Sequence, residues 1–345
     1  MKTKASDPIA PWFNALESLG EFIGMRFGRI APGTNDPEWI FIRHADHDGI
    51  GAFEEIFLKR GATFGGLPQA RHPATPSLSS LVPLLKMHLQ PRHPLKWKHL
   101  GPSMRLNGNP QPPPAFAWHA FDESETTQMR GACSSTGVTV NSFLLKNLTK
   151  AIKPSLEDPI PMVPWMIPVN LRGRVTIDRE TANHTSYVSV DVKLSDSVRH
   201  IHENIYAAIE RHEHCANWFA YELGRLTTHG MRRFLIAREL GTSHWNLGAF
   251  SNLGVWDPEK KISQTECLGT WFVCPPVLRF QQIGAGCVTF QGKLSLTIQA
   301  HPELTIDPRV CNEWMSAWVM EIRSDLAGAA TNASVLLKKE TGLKI

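Results

Sequence analysis

The most informative stretch of this 345-residue chain is Phe41-Ile42-Arg43-His44-Ala45-Asp46-His47-Asp48-Gly49. The run Trp39–Ile42 leads into it, and because both faces of that run are apolar, it predicts a buried strand. Phe53, Ile56 and Phe57 follow at helical spacing. A charged cluster therefore lies where a buried strand gives way to a helix. Histidines and aspartates are costly at such a place unless they are paired or take part in function.

Three interpretations of this cluster are open. The first is a solvated turn, since charged clusters usually belong to the protein surface. The second is a metal site in a metal-dependent hydrolase that uses His44, Asp46 and His47. His44-x-Asp46-His47 resembles the latter half of the H-x-H-x-D-H signature of metallo-β-lactamase-type hydrolases, although Ile42 stands where that signature has its first histidine. The third interpretation makes His44 a general base.

The third interpretation comes from a family motif. Arg43-His44-x-x-x-Asp48-Gly49 resembles the H-H-x-x-x-D-G motif of the chloramphenicol acetyltransferase-like superfamily. That group includes peptide-synthetase condensation domains and wax-ester synthase/diacylglycerol acyltransferases. The second histidine of the motif is catalytic and aligns with His44, whereas Asp48 and Gly49 match the residues that support the local structure. Arg43 replaces the first histidine, and a cation beside His44 would lower its basicity.

Two further segments resemble the same superfamily in the expected order. Residues 137–145, Gly-Val-Thr-Val-Asn-Ser-Phe-Leu-Leu, resemble its T-x-N-x-x-L-L helix. Residues 168–172, Pro-Val-Asn-Leu-Arg, resemble the P-V-S/N-L-R strand of wax-ester synthase-like enzymes. In that family an arginine pairs with the motif aspartate. The resemblance therefore makes Arg172 the candidate partner of Asp48, with Arg174 as the second choice; a bidentate arginine would also suit a buried carboxylate.

The second half of the chain carries the remaining resemblances. Asn183-His184-Thr185-Ser186 is similar to the family's G-N-x-x-S strand. Residues 247–254, Leu-Gly-Ala-Phe-Ser-Asn-Leu-Gly, resemble its S/T-N-x-x-G strand, which lines the reaction channel. Ser251 and Asn252 are therefore candidate channel residues that would hydrogen-bond an oxyanion. Asp307-Pro308 predicts the start of a closing helix, whose inner face would carry Val310, Trp314, Ala317 and Met320.

Several secondary-structure predictions rest on pattern alone. Ser195-Asp196-Ser197 caps a predicted helix through Ile209, and we expect four histidines in this region to face solvent: His200, His202, His212 and His214. A further helix, with a basic face, is predicted from Phe219 to Glu239. Two strands are predicted near Leu268–Val273 and Lys293–Ala300. Residues 62–114 are rich in proline and predict a long excursion over a cleft or partner surface.

Composition limits the class of protein. Hydrophobic residues make up 42% and charged residues 20% of the chain, as in ordinary globular proteins. The net charge of +4 comes without a dense Lys/Arg run, so nucleic acid is not an expected partner. The six cysteines are scattered and predict buried free thiols in a reducing compartment. We expect no signal peptide and no membrane span, and hence a cytoplasmic protein.

The resemblance covers roughly residues 36–325 and implies a fold and a reaction. The expected fold is α/β, an α+β sandwich of two chloramphenicol acetyltransferase-like lobes with a channel between them. Residues 1–114 would form the N-terminal lobe and residues 115–345 the C-terminal lobe. His44 would act in acyl transfer from acyl-CoA, or from a phosphopantetheine-linked acyl chain on a carrier protein, to a small-molecule or lipid alcohol or amine. No bound cofactor and no metal are implied; a non-catalytic acyl- or carrier-binding protein is the remaining alternative.

Overall fold

The computed structural model describes residues 7–62, 66–83, 85, 95–104, 113–160, 162–242, 246–256 and 267–340. The helices are α1 (Ala10–Glu17), α2 (Gly49–Lys59), α3 (Glu123–Ser135), α4 (Val140–Ile152), α5 (Val198–Glu210), α6 (Glu213–Gly224), α7 (His229–Thr242) and α8 (Pro308–Glu340). The strands are β1 (Gly24–Ile30), β2 (Glu38–Arg43), β3 (Ala115–Ala120), β4 (Val163–Asn170), β5 (Thr185–Val192), β6 (Gly248–Trp256), β7 (Thr270–Cys274), β8 (Ile283–Phe290) and β9 (Lys293–Ala300). Parts of the proline-rich excursion lie outside the described residues.

The strands form two sheets, which confirms the predicted fold class of mixed helices and sheets in two lobes. The first sheet has the order β2-β1-β7, and the second has the order β3-β9-β8-β6-β4-β5. In the second sheet β6 runs parallel to β4 and β8, whereas the other pairs are antiparallel. Because β7 belongs to the first sheet, the C-terminal part of the chain contributes to both lobes. The division after residue 114 stays a prediction.

Each sheet has its own apolar core. The larger core lies between the second sheet and helices α3, α4, α5 and α8, with Trp165 and Trp318 fully buried in it. The smaller core packs α2 on the first sheet, where Phe53 and Phe57 contact Trp271. Side-chain caps begin α2, α3, α4 and α5, and the cap of α5 lies in the predicted segment. Asp48 caps α2 by accepting a hydrogen bond from the Gly51 amide. The start of α2 is thus fixed by the same carboxylate that the family motif singles out.

The predicted buried strand before the motif is β2, and the prediction of full burial is wrong. The strand lies at the edge of the first sheet, and Phe41 is 45% exposed. Both faces are apolar for separate reasons. Ile40 and Ile42 pack against the smaller core, whereas Trp39 and Phe41 contact the guanidinium of Arg26 on the other face.

The single helix predicted from Phe219 to Glu239 is also wrong, because α6 ends at Gly224 and α7 begins only at His229. The guanidinium of Arg232 donates hydrogen bonds to the carbonyls of Gly224 and Thr227. These carbonyls would otherwise be unsatisfied at the end of α6. One arginine of the predicted basic face is therefore used to stabilise the break.

Two side-chain orientations differ from the sequence-based expectation. His214 is fully buried in α6 instead of facing solvent, and burial lowers the pKa of its imidazole to about 4. Met320 on α8 is exposed, although Trp314 on the same predicted face is buried. The inner face of α8 runs instead through Cys311, Met315, Trp318 and Ile322. All six cysteines are buried free thiols, as predicted.

Strand β8 is absent from the sequence-based prediction, yet it lies inside the second sheet and is buried along its whole length. Gly284 and Gly286 interrupt the apolar pattern of this segment, so the sequence does not indicate a strand there. A Cβ at Gly286 would overlap the carbonyl of Val273, and a Cβ at Gly284 would come within 2.6 Å of the Pro275 carbonyl. The glycines are needed because β7 crosses close over this strand.

The two sheets are joined along β7. One edge of β7 pairs with β1, and alternate side chains of β9 donate hydrogen bonds to carbonyls along the other edge. The donors and acceptors are Ser295 to Trp271, Thr297 to Val273, and Gln299 to Pro275. An open strand edge is thus satisfied by side chains instead of by another strand. This contact holds the lobe that carries the motif against the lobe that carries β6.

Replacing Thr297 with valine tests this joint. The two side chains have nearly the same shape, but valine leaves the buried Val273 carbonyl without its hydroxyl donor. We expect the free energy of unfolding to fall by about 1–3 kcal/mol, measured by urea denaturation. The control is Thr127→Val on the exposed side of α3. This substitution should change the free energy of unfolding by no more than about 0.5 kcal/mol. Equal effects in the two variants would contradict the role of the joint.

Candidate functional site

The site is organised around the carboxylate of Asp48, which is 1% exposed. Arg172 binds it through two hydrogen bonds, Nη1 to Oδ2 at 2.8 Å and Nη2 to Oδ1 at 2.7 Å. The amides of Gly51 and His184 and the hydroxyl of Thr185 also donate to it, at 2.7, 2.9 and 3.0 Å. A buried carboxylate is tolerated only when its lone pairs are satisfied in this way.

The guanidinium of Arg172 is equally well satisfied, and the side chain is 3% exposed. Besides the carboxylate, its nitrogens donate to the carbonyls of Glu180 and Ala182 and to the side-chain oxygen of Asn170. Arg172 follows β4, whereas Asp48 opens α2, so the pair connects the two lobes. The sequence led to Arg172 as the partner of Asp48, and the two side chains are in contact.

Two effects act on the pKa of Asp48. Burial raises it, but the charge and hydrogen bonds of Arg172 and the amides of Gly51 and His184 outweigh burial. The pKa of Asp48 therefore lies below its usual value of 3.8, and the carboxylate is ionised at neutral pH. With its lone pairs occupied, this carboxylate positions the loop and is not free to exchange protons with a substrate.

The two glycines at the start of α2 allow the lobes to approach. A Cβ on Gly51 would overlap the carbonyl of Thr181, and a Cβ on Gly49 would come within 2.7 Å of the side chain of Leu253 on β6. Gly49 also borders the cavity described below. The glycine of the family motif is thus explained here by close packing against the second lobe.

His44 lies in the turn between β2 and Asp48, and its backbone is held on both sides. Its amide donates to the Ile23 carbonyl at 2.9 Å, and its carbonyl accepts from the Asn183 side chain at 3.1 Å. The ring packs against Phe13 of α1, with the ring centroids 4.8 Å apart. Strand pairing and an amide from the second lobe therefore fix the position of this side chain.

The tautomer of His44 follows from its contact with His47. Nδ1 of His44 is 2.9 Å from the His47 carbonyl oxygen. Because a carbonyl can only accept, Nδ1 carries the proton, and Nε2 keeps its lone pair. Burial lowers the pKa of His44 below its usual 6.5, and the His47 carbonyl and the charges of Asp48 and Asp7 oppose that shift only in part. The imidazole is therefore neutral at neutral pH and suited to act as a base.

The other motif residues have structural contacts. Arg43, which replaces the first motif histidine, donates to Glu17 and Asn14 of α1 and to Asp46. Its charge is thus compensated by carboxylates on the surface. Nδ1 of His47 is 2.8 Å from the carbonyl of Thr181, which fixes that ring to the second lobe.

These contacts bear on the metal interpretation. His44 and His47 each use Nδ1 on a backbone carbonyl, whereas Asp46 is exposed beside Arg43. Within the part of the chain that the structure describes, no group of three or more histidine, cysteine, aspartate or glutamate side chains is arranged to hold a metal ion. The alternative of a metal-dependent hydrolase at His44, Asp46 and His47 therefore gains no support from the geometry.

A cavity of about 490 Å³ lies between the lobes, and His44 lines it. One part of its wall is apolar and comes from α1, α7 and the segment before β8, with Trp12, Phe13, Ile236 and Phe280 as examples. Another part comes from β4, β5 and β6 and carries hydroxyl and carboxamide groups. A volume of this size suits a small molecule or a chain, and the mixed wall suits a ligand that is apolar at one end.

Ser251 and Asn252 lie on β6 and also line the cavity. Ser251 is half-buried, and Asn252 sits where the pairing of β6 with β8 is interrupted. The side-chain oxygen of Asn252 accepts from the Gly254 amide at 2.8 Å, which orients its NH₂ group as the remaining polar group. The predicted channel residues therefore face the same space as His44. Their catalytic roles stay predictions.

Sequence reasoning assigned no role to some residues that now prove important. Asn183 and Thr185 lie in a segment that it noted only as similar to a family strand, yet they bind the His44 carbonyl and the Asp48 carboxylate. The available signal was two polar residues at the start of an alternating strand. Trp12 and Phe13 on α1 line the cavity, and their sequence gives no local sign of that position.

Comparisons with known proteins agree on the fold. No protein-family model matches the chain, and no curated protein sequence matches it. Solved structures do match. The epimerization domain from the third module of tyrocidine synthetase B aligns with a TM-score of 0.53 and 11% identity, over 85% of this chain and 69% of that domain. The chain therefore shares its fold with this domain.

Two more solved structures are similar to a comparable degree. Trichothecene 15-O-acetyltransferase from Fusarium sporotrichioides aligns with a TM-score of 0.53 and 11% identity, over 86% of this chain and 70% of the enzyme. The first condensation domain of the calcium-dependent antibiotic synthetase aligns with a TM-score of 0.51 and 11% identity, over 83% of this chain and 65% of that domain. The chain thus spans about two thirds of the length of these proteins. Identity this low shows the fold alone.

Replacing Asp48 with asparagine tests the central pair. The amide keeps one acceptor oxygen but has no charge, and its NH₂ group cannot accept from Arg172. A buried cation is therefore left without its counter-ion, and we expect a loss of about 3–5 kcal/mol in the free energy of unfolding at neutral pH. The pKa of Asp48 is lowered by folding. The carboxylate therefore stabilises the fold above its unfolded pKa, and this contribution is lost as pH falls through the folded pKa.

Urea denaturation over a range of pH is the measurement for this pair. The difference between wild type and Asp48→Asn should be full near neutral pH and shrink on acidification below the usual value of 3.8. The matched control is Asp46→Asn, since Asp46 is exposed and its surface pair with Arg43 should contribute less than about 1 kcal/mol. A loss in Asp48→Asn no larger than in the control would show that the pair does not hold the site.

Proposed function

We propose that this chain is an acyltransferase that moves an acyl group from a thioester to an alcohol or amine. The observation that carries the proposal is the imidazole of His44. Its Nδ1 is fixed by the His47 carbonyl at 2.9 Å, and the ring borders the cavity between the lobes. Nε2 is then the ring nitrogen that meets a hydroxyl or amine bound there. The fold is consistent with this chemistry, because trichothecene 15-O-acetyltransferase has a similar structure.

In the proposed reaction, Nε2 of His44 removes the proton from the acceptor as its oxygen or nitrogen attacks the thioester carbonyl. The carbonyl electron pair moves onto oxygen and forms a tetrahedral oxyanion. When this intermediate collapses, the carbon–sulfur bond breaks, and the imidazolium returns its proton to the leaving thiolate. The products are an ester or amide and a free thiol. The reaction requires neither a covalent acyl-enzyme nor a bound cofactor.

Other residues have supporting roles in this proposal. Ser251 and the NH₂ group of Asn252 would donate hydrogen bonds to the oxyanion from β6. Asp48 and Arg172 act through the backbone, because they hold the loop that presents His44 and make no contact with the transferred proton. The apolar wall of the cavity would receive the acyl chain. The donor would be acyl-CoA or an acyl chain on the phosphopantetheine of a carrier protein, and the acceptor a small molecule or a lipid.

The first test is thiol release from a panel of acyl-CoAs with mixed alcohol and amine acceptors. We expect His44→Ala to reduce the rate by about 10²- to 10⁴-fold, the usual contribution of a general base. The control is His200→Ala, which removes an exposed histidine from α5 and should leave the rate unchanged. Each protein is measured with and without a chelator.

The outcomes of this assay separate the functions considered for the chain. Release that depends on His44 and survives chelation supports the acyltransferase. Release that the chelator abolishes would instead indicate a metal-dependent hydrolase. If no acyl-CoA reacts, the same assay is repeated with acyl chains loaded on a carrier protein. Tight thioester binding without turnover there would identify a non-catalytic binding protein and overturn the proposal.

The pH dependence provides an independent prediction. The base form of His44 is neutral, and burial lowers the pKa of this imidazole below 6.5. The rate constant kcat/KM should therefore stay high through neutral pH and fall only as acidification passes that lowered pKa. The measurement is kcat/KM from initial rates across a pH series, and the protein is checked to be folded at each pH. An acid limb centred above 6.5 would contradict the assignment of His44.

A further inference from the structure

The corner between α6 and α7 exposes an unusual number of large apolar side chains. We call this surface the α6–α7 corner and define it by Leu223, Leu226, Met231, Phe234 and Leu235, all of which are exposed. Leu226 is 85% exposed and Phe234 is 68% exposed. Single exposed apolar residues are normal on proteins, but a group of five within thirteen residues marks an interaction surface.

The corner is not a misplaced part of the core, because its inner side is already packed. Ile236 on α7 is buried against Ala15 and Leu16 of α1. A Cβ on Gly224 at the end of α6 would overlap the indole of Trp12, and Arg232 holds the break between the helices from the inside. The helices are therefore anchored on one side while their other side presents apolar groups to solvent.

The net charge around the corner is positive. Residues 222–239 include four arginines and two glutamates, Glu222 and Glu239, at the two ends. Arg225, Arg233 and Arg238 are exposed, and Arg225 forms an ion pair with Glu222. Helices that lie on membranes combine exposed apolar side chains with arginines that meet anionic head groups. No helix of the described residues is long and apolar enough to cross a bilayer.

The corner is also continuous with the candidate active site. Leu235, Ile236 and Arg238 of α7 line the cavity that His44 borders. The same helix therefore forms part of the outer apolar surface and part of the cavity wall. An apolar chain that leaves a lipid layer at this corner would reach the cavity along apolar side chains instead of crossing water.

We propose that the α6–α7 corner docks on an anionic lipid surface, from which the cavity takes an apolar substrate. A second copy of the chain fits less well, because a symmetric contact would bring this arginine-rich surface against itself. The delivery of substrate rests on the proposed acyltransferase function, whereas the docking itself does not.

Vesicle co-sedimentation tests docking without measuring activity. Wild type is mixed with vesicles of phosphatidylcholine alone or of phosphatidylcholine with phosphatidylglycerol. We expect binding to the mixed vesicles and a decrease of about tenfold or more in the double variant Leu226→Ser/Phe234→Ser. The matched control is Leu58→Ser/Met320→Ser, which removes exposed apolar side chains from α2 and α8 and should bind like wild type.

A charge reversal tests the electrostatic part. Arg233→Glu should weaken binding to the mixed vesicles by about tenfold, because each basic residue near an anionic surface contributes measurably. Arg130→Glu, on the exposed side of α3, makes the same change in net charge and should have little effect. Circular dichroism and thermal melting establish that every variant is folded before its binding is compared.

Four results would overturn the proposal. In the first, wild type stays free of both kinds of vesicle, and in the second the corner variants bind as well as their controls. In the third, light scattering shows a dimer that Leu226→Ser/Phe234→Ser converts to a monomer, which would assign the corner to self-association. Capture of an acidic acyl carrier protein by wild type but not by the corner variants, without vesicle binding, would assign it to a protein partner. In none of these cases is the assignment of His44 affected.

Discussion

The ion pair between Asp48 and Arg172 is the contact on which the site depends. Both groups are removed from water, so each must have its hydrogen-bonding capacity met by the protein. The hydrogen-bond partners of the two side chains come from the start of α2 and from the segments flanking β4 and β5. Satisfying one pair of charges therefore fixes the relative position of two lobes. The stability of the interface and the geometry of the site are consequences of the same set of bonds.

The Asp48–Arg172 pair positions the loop that carries His44, but the carboxylate of Asp48 does not orient the imidazole. The carboxylate is held by Arg172, so the imidazole is oriented by the uncharged carbonyl of His47. A carboxylate at that position would favour the imidazolium and raise its pKa. A carbonyl instead selects the tautomer while burial keeps the ring neutral. Arg43 does not change this balance, because its guanidinium is turned towards the carboxylate of Glu17 on α1.

The parts of this structure that the sequence predicted have either a local cause or a matching family motif. Helix starts depend on neighbouring residues, whereas Asp48 and Arg172 lie 124 positions apart and were paired only through the resemblance. Long-range effects without such a motif were missed. The glycines of β8 interrupt the apolar pattern by which a buried strand is predicted. They are needed because β7 crosses close to β8, and the local sequence gives no sign of that contact. His214 was misplaced for a similar reason, since its burial depends on how α6 packs on the second sheet.

The joint between β7 and β9 has a consequence for how the lobes can move. Ser295, Thr297 and Gln299 repeat every second residue and meet carbonyls that repeat in the same way. A slip of one residue would break all these bonds together and turn the wrong side chains inward. The bonds can form again only after a shift of a whole two-residue repeat. This joint therefore opposes small sliding movements of one lobe along the other.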